Sequence, residues 1–280
     1  MKFVKSAFIA AIVAAAGFYG QQVLAAPLGY TGGTISENFD TLPTNVTNPT
    51  QAGLSKAAFY LNPAINTLTG LTGWQGNNTG SSATTEFKSQ DGSLASSAGR
   101  GIISFGTNGS TERALGALPT SNQINRFGLV LVNNSASTYT SFNLAYTGEQ
   151  WRRGDGGVNN TMTFAYDLAA NIDAPLTSVG ALSFSNPNTQ NVSTNVALDG
   201  NLAANQVAVA GSITGLNWAP GQTLVLRWAL NDASGQDNGL AIDNLQFTAQ
   251  VPEPSTLAMG TIALVGIASY GFRRHRRARG

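Results

Sequence analysis

Apolar and polar residues alternate through much of the middle of the chain. Phe142, Leu144 and Tyr146 alternate with Asn143, Ala145 and Thr147. Met162, Phe164 and Tyr166 alternate with Thr161, Thr163 and Ala165, and Val207 and Val209 with Gln206 and Ala208. Leu224, Leu226 and Trp228 flank Val225 and Arg227. A period of two sends successive side chains to opposite faces, so each segment predicts a strand with one buried side. Phe127–Val132 is a nearly continuous apolar run ending at Asn133-Asn134, as a buried strand would. In Leu240–Phe247 the apolar parity flips: Leu240 and Ile242 share one face, Leu245 and Phe247 the other. One extra residue near Asp243-Asn244, a β-bulge, would produce that flip. From Thr41 to Gly99, Pro43, Pro49, Pro63 and the run Gly76–Ser82 predict long loops rather than regular strands. No stretch of the body reads as a long amphipathic helix. Many short strands with polar turns predict an all-β fold, an antiparallel β-sandwich of jelly-roll type.

The two ends follow other rules. Lys2 and Lys5 precede an apolar stretch, Ala7–Phe18, too short for an ordinary membrane span. Val23-Leu24-Ala25 then offers small residues at a cleavage site, so residues 1–25 predict a signal peptide removed by signal peptidase. At the other end Pro252-Glu253-Pro254 precedes the uncharged segment Ser255–Phe272. Those 18 residues lie near the short end of the roughly 17–25 that span a bilayer as a helix. Arg273, Arg274, Arg276, Arg277 and Arg279 follow, and basic residues beside a span stay on the cytoplasmic side. The tail therefore predicts a single transmembrane helix that halts export of everything before it. The two prolines keep the strip outside the membrane extended and open to a processing enzyme.

Between the ends lies a body of residues 26–250, expected to be one domain long enough to build a core. The whole chain carries net charge +1. Setting aside Lys2, Lys5 and the five tail arginines leaves eight basic residues, and setting aside Glu253 leaves 13 acidic ones, so the body is −5. That sign argues against a nucleic-acid partner. The chain has no cysteine, and its single histidine, His275, lies in the basic tail. Thiol nucleophiles, thiolate zinc sites, histidine bases and Ser-His-Asp triads are thereby excluded from the body.

Three constellations could carry chemistry. Glu149-Gln150-Trp151-Arg152-Arg153 ends a strand. Trp151 could stack on a sugar ring while the neighbouring guanidinium groups bind hydroxyls or carboxylates, which makes Glu149, Trp151 and Arg152 candidate ligand-binding residues; alternatively, Glu149 pairs with an arginine on a neighbouring strand and Trp151 caps the core. Asn231–Gly239, followed by Asp243-Asn244, offers the oxygen ligands that Ca²⁺ takes, or else side chains that cap turn amides. Glu112-Arg113 supplies a carboxylate that with Glu149 could form a glycosidase pair. Arginines adjacent to both would lower their pKa values, which suits an ion pair better than an acid catalyst.

Pro252-Glu253-Pro254, the span and the arginine cluster together resemble the PEP-CTERM sorting signal of Gram-negative bacteria. The resemblance covers residues 251–280. It implies an exosortase as partner, removal of the tail, and delivery to the cell surface or beyond, often alongside exopolysaccharide and biofilm matrix. The body also resembles secreted jelly-roll modules at Ser36–Asp40, Tyr146–Arg152 and Gly239–Leu245. In carbohydrate-binding jelly rolls the first and last strands can hold a structural Ca²⁺, which here implies Glu37, Asp40 and Asp243 as ligands. The expected role is a non-catalytic surface or matrix module associated with polysaccharide. A carbohydrate-active enzyme and a protein-binding adhesin are the alternatives.

Overall fold

A computed structural model describes residues 26–44, 71–80, 87–94, 99–155, 157–192 and 194–252. The predicted signal peptide, Glu253, Pro254, the predicted transmembrane helix and the tail arginines lie outside these residues. Among the described residues no helix is long and apolar enough to cross a membrane.

Fifteen strands of the described residues form two sheets: β1 (Leu28–Tyr30), β2 (Thr34–Glu37), β3 (Trp74–Thr79), β4 (Phe87–Gln90), β5 (Gly101–Phe105), β6 (Ala114–Leu118), β7 (Ile124–Asn133), β8 (Tyr139–Arg153), β9 (Thr161–Asp167), β10 (Thr177–Ser178), β11 (Phe184–Ser185), β12 (Val196–Ala197), β13 (Gln206–Trp218), β14 (Thr223–Asn231) and β15 (Gly239–Gln250). One sheet runs β1-β7-β14-β9-β10, with β3 also on β7 and β11 on β9. The other runs β12-β8-β15-β6-β5-β4, with β13 also on β8 and β2 on β15. Pairing is antiparallel except for β1 with β7 and β4 with β5. The fold is the β-sandwich that the alternation predicts.

The alternating residues meet between the sheets. Phe142, Leu144 and Tyr146 from one sheet pack with Phe164, Leu226 and Trp228 from the other in one buried cluster. Trp228 lies at its centre, its ring 5.1 Å from Phe164, 5.5 Å from Tyr146 and 5.9 Å from Trp74. A second, smaller cluster of Ile103, Phe105, Ala114, Leu118, Trp151 and Ala241 forms from residues of opposite parity, on the outer side of the eight-stranded sheet.

The segment expected to be long loops contains two strands. In β3, Gln75, Asn77 and Asn78 are buried although polar. The strand forms because β7 takes its backbone in register, Trp74 opposite Leu129 through Thr79 opposite Ile124. Its amides also find partners: Gln75 accepts from the Ile172 N–H at 3.2 Å, and Asn77 donates to Asp173 at 2.6 Å. Local composition favours turns here, and ladder pairing overrides it. β4 forms by parallel pairing with β5.

The parity flip in the last strand is a bulge. Asp243 lies opposite Thr147 and Gln246 opposite Ala145, so β15 uses three steps where β8 uses two. Asn244 takes the left-handed conformation, φ 52°, that fits the extra residue. A reciprocal slip occurs where Gly239 faces Arg152 and Leu240 faces Gln150, leaving Trp151 as the extra residue on β8. These two irregularities flank the stretch of β8 and β15 that carries Glu149 and Asp243.

Candidate metal centre

Glu112 precedes β6, Glu149 lies near the end of β8, and Asp243 lies at the β15 bulge. β15 runs between β6 and β8, which brings the three carboxylates together. One oxygen from each lies within 4.8 Å of the other two. Glu149 is fully buried, Asp243 is 4% exposed and Glu112 is half-buried.

The walls are hydrogen-bond donors and an indole. Trp151 Nε1 donates to Glu149 Oε2 at 2.8 Å, and Gln206 Nε2 donates to Glu149 Oε1 at 3.2 Å. Asn201 donates to Glu112 Oε2, and Asn244 donates to Asp243 Oδ2 at 2.7 Å. Asp243 Oδ1 and Glu112 Oε1 are buried and have no hydrogen-bond partner. Gln206 is the first residue of β13, opposite Glu149, and Asn201 belongs to a strap between β12 and β13 that closes over this side of the sheet. Its backbone is tied down by the Leu198 N–H donating to the Trp151 carbonyl at 2.9 Å. Gly200 sits so close to the Trp151 ring that a Cβ there would lie 2.3 Å from Nε1, so only glycine fits without a shift. Trp151 is 1% exposed and stacks on Phe105 at 6.2 Å.

Burial pushes the Glu149 carboxyl up to about 8, with Asp243 and Glu112 adding to it and the Trp151 bond opposing. Burial also pushes Asp243 up to about 7, reinforced by Glu112, Asp40 and Glu37. Glu112 is raised by burial and Asp40, against the bond from Asn201 and the charge of Arg113. The net lowering expected from adjacent arginines does not occur: Arg113 lowers Glu112 but burial outweighs it, and both arginines direct their hydrogen bonds elsewhere. Arg113 reaches Ser104 Oγ at 2.8 Å and Ser89 Oγ at 3.2 Å. Arg152, also buried, reaches the Leu94 carbonyl and Gln236. Glu149 bonds Trp151 and Gln206 rather than an arginine.

Of the ligands implied by the jelly-roll resemblance, Asp243 lies in this cluster. Glu37 pairs across to Leu245 on β15, and its Oε1 accepts from the Phe39 N–H at 2.9 Å. Asp40 accepts from the Arg113 N–H at 3.2 Å and from Asn38 at 2.6 Å. Both stand close enough to raise Asp243 electrostatically but outside the three-carboxylate cluster. The other acidic candidate region, the turn after β14, is internally bonded. Asp237 Oδ1 accepts from Asn160 at 2.7 Å and from the Ala233 N–H at 2.9 Å. Sequence reasoning weighed Glu112 and Glu149 as a catalytic pair and did not join them to Asp243. The signal was the parity flip, which re-aims Asp243 beside Glu149.

The donor set suits a hard cation. Ca²⁺ takes oxygens at about 2.3–2.6 Å, so two ligands on opposite sides of one ion stand about 5 Å apart. The three carboxylate oxygens, each within 4.8 Å of the others, stand close enough to share one such ion. The two unpartnered carboxylate oxygens would face it, and carbonyls and water would complete the shell. For glycoside hydrolysis the two carboxyls must reach a sugar. Glu149 is instead buried beside Trp151 and the start of β13.

No curated protein matches the chain. Solved structures to which this chain is similar include the CBM22-1 xylan-binding domain of Xyn10C from Paenibacillus barcinonensis, 9% identical, with TM-score 0.32 over 82% of this chain and 100% of that one. The K2 cleaved adhesin domain of Lys-gingipain is 14% identical, with TM-score 0.34 over 77% of this chain and 98% of that one. The N-terminal cellulose-binding domain of β-1,4-glucanase C from Cellulomonas fimi is 14% identical, with TM-score 0.25 over 55% and 91%. Residues 250–277 match the PEP-CTERM protein-sorting motif. The chain is therefore a β-sandwich body that carries a PEP-CTERM protein-sorting motif directly after its last strand.

Proposed function

We propose that this protein is exported, held briefly in the membrane by its tail, processed by an exosortase, and used at the cell surface as a non-catalytic, polysaccharide-associated module. The sorting motif at 250–277 carries the first part of this reading. β15 ends at Gln250, and Val251 and Pro252 are exposed, so the motif follows the fold without a long linker.

For the body, the supporting observation is the closure of its acidic cluster. Glu149 is buried beside the Trp151 indole and the start of β13, and Asp243 is buried with it, a position suited to a cation that staples β6, β8 and β15. Glu112, Glu149 and Asp243 would hold Ca²⁺, which would supply the positive charge needed there. The surface offers a separate feature suited to glycans. β2, β8, β13 and β15 lie side by side, and their outer side chains include Ser36, Asn143, Ser212, Gln246 and Thr248. A shallow depression of about 390 Å³ lies among Asn143, Ser212, Gln246 and Thr248. Uncharged hydroxyls and amides on a flat sheet match the donors and acceptors of neutral sugars.

The test is binding with turnover measured on the same samples. The body should bind neutral polysaccharide, weaken when Asn143 and Gln246 are replaced by alanine, and release no reducing ends. Reducing-end release abolished by Glu149→Gln would instead establish an enzyme. Capture of a protein with no glycan binding would favour an adhesin.

A further inference from the structure

No described Asp, Glu, Lys or Arg belongs to the loops at one end of the sandwich, the end from which the sorting tail leaves; Asp167, opposite Val225, stands two residues inside it. Residues 26–36, 127–148, 200–226 and 244–252 contain no Asp, Glu, Lys, Arg or His. The structure gathers the loops 31–34, 134–138 and 214–222 of these segments into one pole, while 200–206 lies at the acidic cluster. The Asn134 N–H donates to the Tyr30 carbonyl at 2.9 Å, and the Gly221 N–H donates to the Asn133 carbonyl at 2.8 Å. Asn133 Nδ2 donates to the Ser137 and Trp218 carbonyls, both at 2.8 Å. The Tyr30 hydroxyl accepts from the Ala249 N–H at 2.8 Å and donates to the Gly33 carbonyl at 2.6 Å. That hydroxyl therefore pins the end of β15 to the pole just before the motif begins.

The tail leaves little slack. Residues 251–254 separate the last strand from the uncharged segment, and four residues span at most about 13 Å. The polar layer outside the hydrocarbon is roughly 5–8 Å thick. A fold tethered that closely must rest near the headgroups. A body of charge −5 would be repelled by anionic lipid if its acidic end faced the surface. The neutral pole is the end that meets the surface without that cost.

We infer that, in the uncut precursor, the charge-free pole formed by the loops 31–34, 134–138 and 214–222 seats on the phospholipid headgroup surface. This inference rests on the membrane span proposed for the tail. The occupant is the lipid surface itself, and the exposed Gly33, Ala136, Ser137, Thr214, Gly215 and Asn217 would meet it. After cleavage the seat is released with the tail.

Because the chain has no cysteine, single labels are clean. The full chain with its tail uncut is placed in phosphatidylglycerol-containing vesicles, carrying a fluorophore at Ala136→Cys, Asn217→Cys or, at the far end, Ser234→Cys. Headgroup-level nitroxide lipid should remove most of the fluorescence from the first two and little from the third. Equal quenching at all three sites, with the protein firmly in the vesicles, would overturn the seat and leave the anchor standing. Protein recovered free of vesicles would overturn the anchor and the seat together. Two pole labels guard against one substitution disturbing its loop.

Discussion

Chelating divalent cations should lower the melting temperature of the body by roughly 8–16 °C at pH 8, and restoring Ca²⁺ should recover it. The size follows from linkage. A ligand present at about 1,000 times its dissociation constant stabilises by about 4 kcal/mol, and a domain of this length shifts roughly 2–4 °C per kcal/mol. The pH dependence is equally specific. Glu149 and Asp243 are raised to about 8 and about 7 in the folded state, above their unfolded values. The folded chain therefore binds more protons than the unfolded one across roughly pH 4–8, and without cation its stability falls as pH rises through that window. A divalent ion replaces those protons, so the Ca²⁺ benefit grows in the same window and levels off above about pH 8. Asp243→Asn should remove most of the Ca²⁺ response, because it removes the negative charge and places an amide beside Glu112 and Glu149. A melting curve indifferent to chelator at pH 8 would eliminate the cation.

Replacing Trp151 by alanine should cost about 3–5 kcal/mol, a loss of roughly 6–20 °C in melting temperature. Three separate losses combine. The indole stacks on Phe105 and packs with Ile103, Leu118 and Ala241 outside the main core. It supports the strap at Gly200. It also supplies the Nε1–H that Glu149 accepts at 2.8 Å, so Glu149 would keep its burial with one donor fewer. Trp151→Phe separates these effects: packing is largely kept, the donor is lost, and Glu149 should titrate still higher. Thermal unfolding with glycan-binding titrations checks this prediction. A stable Trp151→Ala protein that has lost glycan binding would make Trp151 a sugar platform instead.

Much of this architecture is visible in residue alternation. Phe142-Leu144-Tyr146 and Leu224-Leu226-Trp228 declare which face is buried, because a one-residue slip would expose all of them. The bulge at Asp243-Asn244 is legible for the same reason: a phase flip inside one apolar run has few other causes. β3 was not legible. Its Gly-Asn-Asn-Thr composition is that of a turn, and the partners that satisfy it, Ile172 and Asp173, are distant in sequence. The acidic centre was legible only in pieces. Glu112, Glu149 and Asp243 meet because β15 runs between β6 and β8, a fact of topology that local pattern does not carry. The covering of Trp151 depends on Gly200 in a polar connection that reads as an ordinary loop.

The sorting tail makes the boldest demand on the whole molecule, and intact-mass measurement tests it most directly. Protein recovered from outside cells that carry an exosortase should lack residues 1–25 and should end within the 250–277 motif. Cells without that enzyme should retain a heavier, membrane-bound form. A full 280-residue chain in the cytosol, leader and arginine tail both intact, would contradict the account.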